Sequence, residues 1–376
     1  MSTDSNKYLF ITPSYTIGGV ETQTFHLAEH FVEKGHQVMF VCIRGDEGPL
    51  FEKLTEIGVK CYFFNALSDL NKVGFFGKIK IMFSFIRFLR KLKPTIILPF
   101  TEPINTITNV VRPFTGARKA LYTMRGGYIV NGPQTKFKSF IKYSKPIYVS
   151  NSKHGAEIQS KYLGIDPNKF KIIRNGIKMH IPEKSSSEWR GALNFSTEDV
   201  VFVMVANFYS EKKHELLLES WSRFAIDKND VKLILLGDKS PFDRDYFKSK
   251  AYILDNKLYT SVVQINKTTD VSGILKASNC GVLMTESEGC PNGLLEYMSS
   301  RIPVIASNIP AVCEVIGNDY EYLIDNDSID SVVSALEMIY SNGKNEDLIQ
   351  RNFELVQTNY TYDNLVSEYD ELLQIK

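Results

Sequence analysis

Residues 282–298 have the sequence VLMTESEGCPNGLLEYM, which combines an apolar run, a polar loop and an amphipathic segment. The apolar run ends at Met284, and the loop is rich in acidic residues, glycine and proline. Apolar side chains return at helical spacing from Leu294. This order predicts a buried β-strand, a short loop and an α-helix, which is the repeating unit of parallel α/β sheets.

The same alternation extends through the rest of the chain. At 376 residues the chain is long enough for two domains. Residues 175–199 lose the apolar periodicity, so we place a boundary near residue 180 and predict two doubly wound domains, residues 1–180 and 181–360. The predicted strands are KYLFITP, QVMFVCI, KCYFF, TIILPF, KALYTM, PIYVS, VVFVMVAN, VKLILLG, VVQIN, CGVLMT and PVIAS.

The composition is that of a globular protein, with 43% hydrophobic and 12% aromatic residues. The sequence starts without a signal-peptide pattern, and no run approaches the roughly 18 apolar residues of a membrane span. The five cysteines are widely spaced and lack a CxxC pair, which favours neither a disulfide framework nor a zinc site. We therefore expect a cytoplasmic protein.

The net charge of +1 hides two oppositely charged halves. Residues 1–185 carry 27 Lys and Arg against 13 Asp and Glu, and the rest of the chain is acidic. A basic half indicates an anionic partner: nucleic acid, a phospholipid surface or a phosphorylated substrate.

The densest basic segment, residues 74–93, mixes lysine and arginine with phenylalanine and contains no acid. Two interpretations stay open. It is either an ordinary surface helix packed on a sheet or an interfacial helix on an anionic membrane. Because its basic residues are interleaved with bulky apolar ones and no recognition module is present, we do not expect nucleic-acid binding.

Two loops after predicted strands have features of anion sites. Gly18 and Gly19 precede a helix, and the amides of Gly293, Leu294 and Leu295 form another helix start. Carboxylates beside such a start suit a ligand with both hydroxyls and phosphates, such as a nucleotide sugar. The alternative is that these acids, Glu288 and Glu296, are a solvated loop residue and a favourable first-turn residue.

Two metal-site patterns are rejected. His26–His30 matches HxxEH, but the segment is an amphipathic helix and no third ligand can be named. Asp243 and Asp245 form a DxD pattern among lysines and arginines, and cation sites need several converging oxygens. We expect no bound metal and no cofactor.

The sequence resembles glycosyltransferase family 4, the retaining, nucleotide-sugar-dependent enzymes of the GT-B fold. EGCPNGLLEYMSSRIPVIAS (288–307) resembles the family's E-G-x-P-N-x-x-x-E-A-M…G-x-P-V-v-A element. Gly18-Gly19-Val20-Glu21 resembles its opening GGxE, and VSNSKHGAEI…IIRNGI resembles its S-N-S…N-G-I stretch. VANFYSEKKHELLLESW resembles v-G-R-L-x-x-E-K-G…L-L-x-A-f. The resemblance implies two Rossmann-like domains facing a central cleft, with a C-terminal helix, residues 361–376, returning to the N-terminal domain.

The family also implies roles for individual residues. Glu296 would hold the nucleotide ribose, Glu288 would contact the donor sugar near the reacting carbon, and Lys212 would neutralise the leaving diphosphate. Basic residues and helix amides do the work of a metal in this family. The other expected donor-binding residues are Gly18, Gly19, Asn207, Lys213, Gly289, Asn292, Gly293, Leu294 and Leu295, and Arg125 and Glu21 are candidates for acceptor or phosphate contacts.

One departure from the family concerns the diphosphate. Asn207 stands where many members carry arginine, so one expected cation is missing. Lys213, which replaces the usual glycine, or Arg125 could supply it.

The resemblance implies a retaining transfer of a hexose or N-acetylhexosamine from a nucleotide sugar, which we expect to be UDP-linked. The expected acceptor is a lipid-linked saccharide in the synthesis of cell-surface polysaccharide, such as lipopolysaccharide or capsule, or of glycolipid. The enzyme would be cytoplasmic and peripheral at the inner membrane face. Two alternatives stay open: a nucleotide-sugar epimerase of the same fold, and a non-catalytic protein that binds sugar nucleotides or membrane surfaces.

Overall fold

The computed structural model describes residues 6–374 except 17, 46, 71, 128–135, 179, 239–243 and 267. It divides into two compact units. The first comprises Met1–Gly176 and Tyr362–Lys376, and the second comprises Ile177–Thr361. The chain therefore leaves the first unit once and returns to it for its last helix.

The first unit contains a parallel sheet, which has seven strands in the described residues, in the order β3-β2-β1-β4-β5-β6-β7. The strands are β1 (Lys7–Thr12), β2 (Gln37–Cys42), β3 (Lys60–Phe63), β4 (Ile96–Pro99), β5 (Lys119–Met124), β6 (Ile147–Ser150) and β7 (Lys171–Ile172). The helices between them are α1 (Gly19–Glu33), α2 (Pro49–Glu56), α3 (Phe75–Leu92), α4 (Ile104–Val111), α5 (Lys138–Ser144) and α6 (Lys153–Leu163).

Alternate residues of β1 pack on opposite faces of this sheet. Phe10 lies in the core that contains Leu27 of α1 and Leu54 of α2. Leu9 lies in the opposite core, with Phe85 of α3. The sheet is thus buried on both faces, which explains why its strands have continuous apolar sequences.

The second unit contains a parallel sheet with six strands in its described part, in the order β10-β9-β8-β11-β12-β13. The strands are β8 (Val200–Val205), β9 (Val231–Leu236), β10 (Val262–Ile265), β11 (Cys280–Leu283), β12 (Val304–Ser307) and β13 (Leu323–Ile324). The helices are α7 (Ser186–Ala192), α8 (His214–Phe224), α9 (Arg244–Asp255), α10 (Val271–Ala277), α11 (Asn292–Ser299), α12 (Pro310–Ile316), α13 (Ile329–Asn342) and α14 (Glu346–Asn359). The prediction of two doubly wound α/β domains is confirmed.

The last helix, α15 (Tyr362–Leu373), packs against α1 in the first unit. Asp370 of α15 accepts hydrogen bonds from His30 Nε2 at 2.8 Å and Lys34 Nζ at 2.5 Å. The His26 ring meets Tyr362 edge-on. The two histidines of the rejected HxxEH pattern therefore contact α15. Of the rejected DxD pattern, Asp243 lies outside the described residues and Asp245 is in α9.

A glycine in β11 lets α11 approach the second sheet. A Cβ on Gly281 would lie 2.4 to 2.7 Å from atoms of the buried Tyr297 ring. The ring cannot move aside easily, because its hydroxyl accepts from Val205 N at 2.7 Å and donates to Val282 O at 3.2 Å. Gly281 and Tyr297 together hold α11 against β8 and β11.

We expect Gly281→Ala to destabilise the second unit by about 1–3 kcal/mol, because the added methyl overpacks a rigid core. Gly191→Ala is the matched control, since a Cβ there meets nothing within 4 Å and the residue is in α7. Urea unfolding of the two variants measures the difference. Equal stability of both variants would show that the Tyr297 ring is free to move.

Candidate active site

The loop between β11 and α11 lies beside the turn that follows β8. Glu286 N donates to Glu211 O at 2.9 Å, which joins the two segments through their backbones. The wholly buried Thr285 anchors the loop to β12, since its amide donates to Ser307 Oγ at 2.9 Å. These contacts lie at the carboxyl edge of the sheet, where parallel α/β folds bind ligands.

Lys212 and Glu288 form an ion pair between these segments. Both side chains are mostly buried, with exposed fractions of 20% and 18%. Lys212 ends the short 3₁₀ turn Ser210–Lys212, and its Nζ also lies 3.5 Å from Thr285 Oγ1. The structure thus brings together the two residues that the resemblance assigns to catalysis.

Lys213 belongs to a separate cluster. Its Nζ lies 2.6 Å from Glu286 and 2.9 Å from Asp327, and these acids, Glu286 foremost, raise the pKa of the lysine. Two carboxylates already neutralise this cation. The prediction that Lys213 replaces the missing arginine therefore stays a prediction, and these contacts do not support it.

Asn207 follows β8 and helps to shape the backbone of the next loop. Its Oδ1 accepts a hydrogen bond from Asp238 N at 3.0 Å. The side chain thus connects the segments after β8 and β9 at the same edge of the sheet.

The start of α11 has the features of an anion site. The helix begins at Asn292, two residues before the predicted start, and its N-cap residue, Pro291, makes no side-chain capping hydrogen bond. The amide of Leu295 donates to Pro291 O at 3.3 Å, so it is used within the helix. This differs from the prediction that the Leu295 amide faces the ligand. The preceding amides, at Gly293 and Leu294, belong to the first turn, where helices present N–H groups outward.

Gly293 is a half-buried residue in the first turn of α11. A Cβ at this position would meet Val205 O only at 3.5 Å, which is an ordinary contact. Packing therefore does not require glycine here. The side chains of Leu294 and Leu295, in contrast, are fully buried and anchor the helix in the core.

Glu296 lies in the second turn of α11, whereas the sequence pattern predicts that it lies in the first turn. Burial raises the pKa of its carboxyl to about 7. No ion pair joins this carboxyl to a cation within the described part of the chain, and a partly buried carboxylate without such a partner is costly and typical of functional sites. This supports a ligand role over that of a favourable helix-start acid.

His214, which begins α8, was not singled out from the sequence. Its ring is buried, stacks on Phe208 at 4.4 Å between centroids, and burial lowers its pKa to about 4. The His214 ring is therefore neutral at physiological pH and adds no positive charge near Lys212.

The expected residues of the first unit have other surroundings. Gly18 precedes α1, and a Cβ on it would lie 2.9 Å from Glu21 Oε2, so the Glu21 carboxylate folds toward the start of its own helix. Gly19 is the first residue of α1. Burial raises the pKa of Glu21.

Arg125 follows β5 and is almost completely buried. It donates to Asn175 Oδ1 at 2.7 Å and to Tyr369 OH at 3.2 Å, and its guanidinium lies over the Phe100 ring. These contacts connect α15 to the first sheet. The predicted phosphate or acceptor role is not needed to explain them and stays a prediction.

No group of three or more His, Cys, Asp or Glu side chains within the described ranges is arranged to hold a metal ion. None of the helices in those ranges is long and apolar enough to cross a membrane.

Sequence comparison divides the chain into two family matches. Residues 17–180 match the family described as Glycosyltransferase Family 4, and residues 185–354 match Glycosyl transferases group 1. An Escherichia coli relative, UDP-Gal:alpha-D-GlcNAc-diphosphoundecaprenol alpha-1,3-galactosyltransferase, is 23% identical over 336 residues, which are 85% of this chain and 84% of the relative.

Similar solved structures have the same fold over their whole length. A glycosyltransferase from Rickettsia africae has a TM-score of 0.83 at 19% identity, with 99% of this chain and 100% of that chain covered. HepE from Anabaena, solved in complex with UDP and glucose, has a TM-score of 0.78 at 15% identity, with 98% and 99% covered. At these identities the structural likeness establishes the fold.

Proposed function

The chain belongs to glycosyltransferase family 4 and has the GT-B fold, and on this premise we propose that it is a retaining transferase of a hexose or an N-acetylhexosamine from UDP to a saccharide acceptor. The observation that carries the proposal is the Lys212–Glu288 pair, which lies in the same loop assembly as the start of α11, whose N-cap residue is Pro291. A non-catalytic binding protein would have no need to keep this pair together.

The second unit offers complementary groups for each part of a nucleotide diphosphate. The first-turn amides of α11 suit the phosphates, and the Glu296 carboxylate suits the two ribose hydroxyls as a double acceptor. Gly289 and Asn292 flank this site in the loop and at the helix start. UDP as the carrier is supported by the names of the Escherichia coli relative and of the HepE complex.

In the proposed reaction the bond between the anomeric carbon and the diphosphate oxygen breaks. Negative charge then grows on the departing diphosphate, where Lys212 and the α11 amides stabilise it. The acceptor hydroxyl forms its bond on the face that the diphosphate leaves, and its proton passes to a diphosphate oxygen. This route needs no separate protein base and no metal, and it retains the anomeric configuration.

For Lys212 to act in this way, it must exchange its partner. In the structure its charge is neutralised by Glu288, and in the complex the diphosphate would take that position. Glu288 would then be released toward the sugar, near the carbon that becomes positively charged. The ion pair is thus the resting arrangement of the catalytic residues.

The acceptor that we propose is a lipid-linked saccharide used to build cell-surface polysaccharide or glycolipid. The Escherichia coli relative is named for transfer onto a diphosphoundecaprenol-linked sugar, which supports this choice. The proposal includes a cytoplasmic location at the inner membrane face and a peripheral contact through residues 74–93.

A panel of nucleotide sugars tests the donor assignment. We expect one UDP-sugar to raise the melting temperature of the full chain and to be consumed only when a lipid-linked acceptor extract is present. NMR of the product should show an α-linkage from an α-linked donor. Conversion of the sugar without acceptor would identify an epimerase, and stabilisation without any conversion would identify a binding protein.

A further inference from the structure

The positive charge of the N-terminal half is concentrated in one segment of the sequence. Between Asp69 and Glu157 the chain contains 16 Lys and Arg residues and a single acid, Glu102. The remainder of residues 1–185 has nearly balanced charges. The segment 70–156 therefore accounts for the whole basic excess.

This segment supplies one face of the first sheet. Phe85 of α3 and Ile104 of α4 pack in the core that contains Leu9 of β1. Ala120 of β5 packs in the same core, and Tyr122, two residues along the strand, packs with Ile141 of α5. Because alternate strand residues share a face, α3, α4 and α5 all cover the same side of the sheet.

The opposite side of the same sheet is acidic. It is covered by α1, α2 and α15, whose residues pack in the other core. These three helices contain nine acidic residues: Glu21, Glu29, Glu33, Glu52, Glu56, Asp363, Glu368, Asp370 and Glu371. The first unit thus has two faces of opposite charge.

Large aromatic side chains of the basic side are exposed. On α3, Phe75, Phe76 and Phe83 have exposed fractions of 72%, 84% and 69%. On α5, Phe140 and Tyr143 have 59% and 76%. An ordinary amphipathic helix would bury such rings and expose only its lysines, so sheet packing alone does not explain these positions.

Hydrogen bonds join both α3 and α5 to the turn Arg112–Phe114. Arg90 of α3 donates to Phe114 O at 2.7 Å, and Arg112 donates to the carbonyl of Ser144, the last residue of α5. Phe114 is itself 58% exposed. We call the surface formed by α3, residues 112–114 and α5 the basic aromatic face.

We propose that the basic aromatic face docks this protein on an anionic lipid bilayer. Exposed phenylalanines enter the boundary between headgroups and acyl chains, and the surrounding lysines and arginines neutralise lipid phosphates. The surface is broader than residues 74–93, because α5 adds Lys138 and Lys142 with its two rings. The inference rests on the proposed function in that a lipid-linked acceptor is held at such a surface.

Cosedimentation of the full chain with vesicles tests the proposal. We expect binding to vesicles of phosphatidylcholine with about 30% phosphatidylglycerol, and little binding to phosphatidylcholine alone. The double variants Phe76→Ser with Phe83→Ser and Phe140→Ser with Tyr143→Ser should each lower the partition coefficient at least tenfold. The matched control is Phe247→Ser with Tyr259→Ser, which removes rings of similar exposure from the second unit and should bind as the unchanged protein does.

Equal binding of all variants, or equal binding to both kinds of vesicle, would overturn the proposal. The proposal would also be overturned if the unchanged chain bound no vesicles while the serine variants bound heparin tightly. That result would identify a soluble polyanion as the partner. Transfer to a detergent-solubilised acceptor separates this inference from the proposed function. The serine variants should still transfer sugar to this acceptor. If the unchanged chain binds vesicles but transfers no sugar, only the proposed function is refuted.

Discussion

Lys212→Ala should reduce kcat by about 10²–10³-fold, because the departing diphosphate loses its closest cation in a mostly buried site. The loss should exceed the loss of affinity for UDP, since the charge on the leaving group is largest in the transition state. Steady-state kinetics with the best donor, together with calorimetric titration of UDP, separate the two effects.

Lys213→Ala is the matched control for this variant. Lys213 is the next residue, but Glu286 and Asp327 already neutralise it. We expect its kcat to change less than tenfold. If the two variants lost activity equally, Lys213 would be supplying the cation that Asn207 lacks, and the division of roles proposed here would be wrong.

Glu296→Gln should weaken UDP binding by about 10–100-fold, because a charged acceptor of two ribose hydrogen bonds is replaced by a neutral amide. The same change should stabilise the free protein at pH 8 by roughly 1–3 kcal/mol, since it removes a desolvated negative charge. Loss of binding with a gain of stability is typical of a residue kept for a ligand.

The pH dependence of stability follows from the raised pKa of Glu296. In the unfolded chain this carboxyl has an ordinary pKa near 4.5, and in the folded protein the pKa is about 7. Between these values the folded state binds more protons, so the contribution of Glu296 to stability falls as pH rises from about 4.5 to 7. The difference between the unchanged protein and Glu296→Gln should therefore vanish near pH 4.5.

The affinity of the protein for UDP should rise with pH, because the ionised Glu296 carboxyl accepts hydrogen bonds from the ribose hydroxyls. The terminal phosphate of UDP titrates at about pH 6. The pH dependence of UDP binding by Glu296→Gln therefore measures the contribution of the phosphate alone. The affinity of the unchanged protein should rise more steeply from pH 5 to pH 8 than that of the variant. Parallel curves would mean that Glu296 does not contact the nucleotide.

Most of the architecture follows from sequence patterns, because each buried strand is a continuous apolar run between polar loops. Two strands were not predicted, Lys171–Ile172 in β7 and Leu323–Ile324 in β13. Both have only two residues, which is too short for any periodicity to be recognised. They lie at the ends of their sheets, where pairing depends on the neighbouring strand.

The candidate site was predicted as a set of residues, but its connections were not. The sequence pattern places Glu288 before a helix and Lys212 after a strand, and it cannot show that they form an ion pair. The partners of Lys213 were also missed, because Asp327 is 114 residues away in the chain. Such long-range contacts arise only when the loops of several strands meet at one edge of the sheet.

The basic aromatic face shows a similar limit. Residues 74–93 were recognised because the apolar and basic side chains form one long helix. The helix α5 has only seven residues, and its relation to α3 depends on the turn at Arg112–Phe114. Charge counts indicate an anionic partner, and only the folded arrangement shows which surface meets it.

Acceptor-dependent sugar transfer by the unchanged protein and by Glu288→Gln is the most direct test of the central claim. The substitution keeps the size and shape of the side chain and removes the charge beside the reacting carbon. We predict that the unchanged protein transfers sugar to a lipid-linked acceptor, and that Glu288→Gln loses at least 100-fold in kcat, a loss of the size typical of an electrostatic catalytic group, while binding UDP almost normally. Near-normal turnover in the variant would contradict the account, because the residue at the centre of the proposed site would then have no part in the reaction.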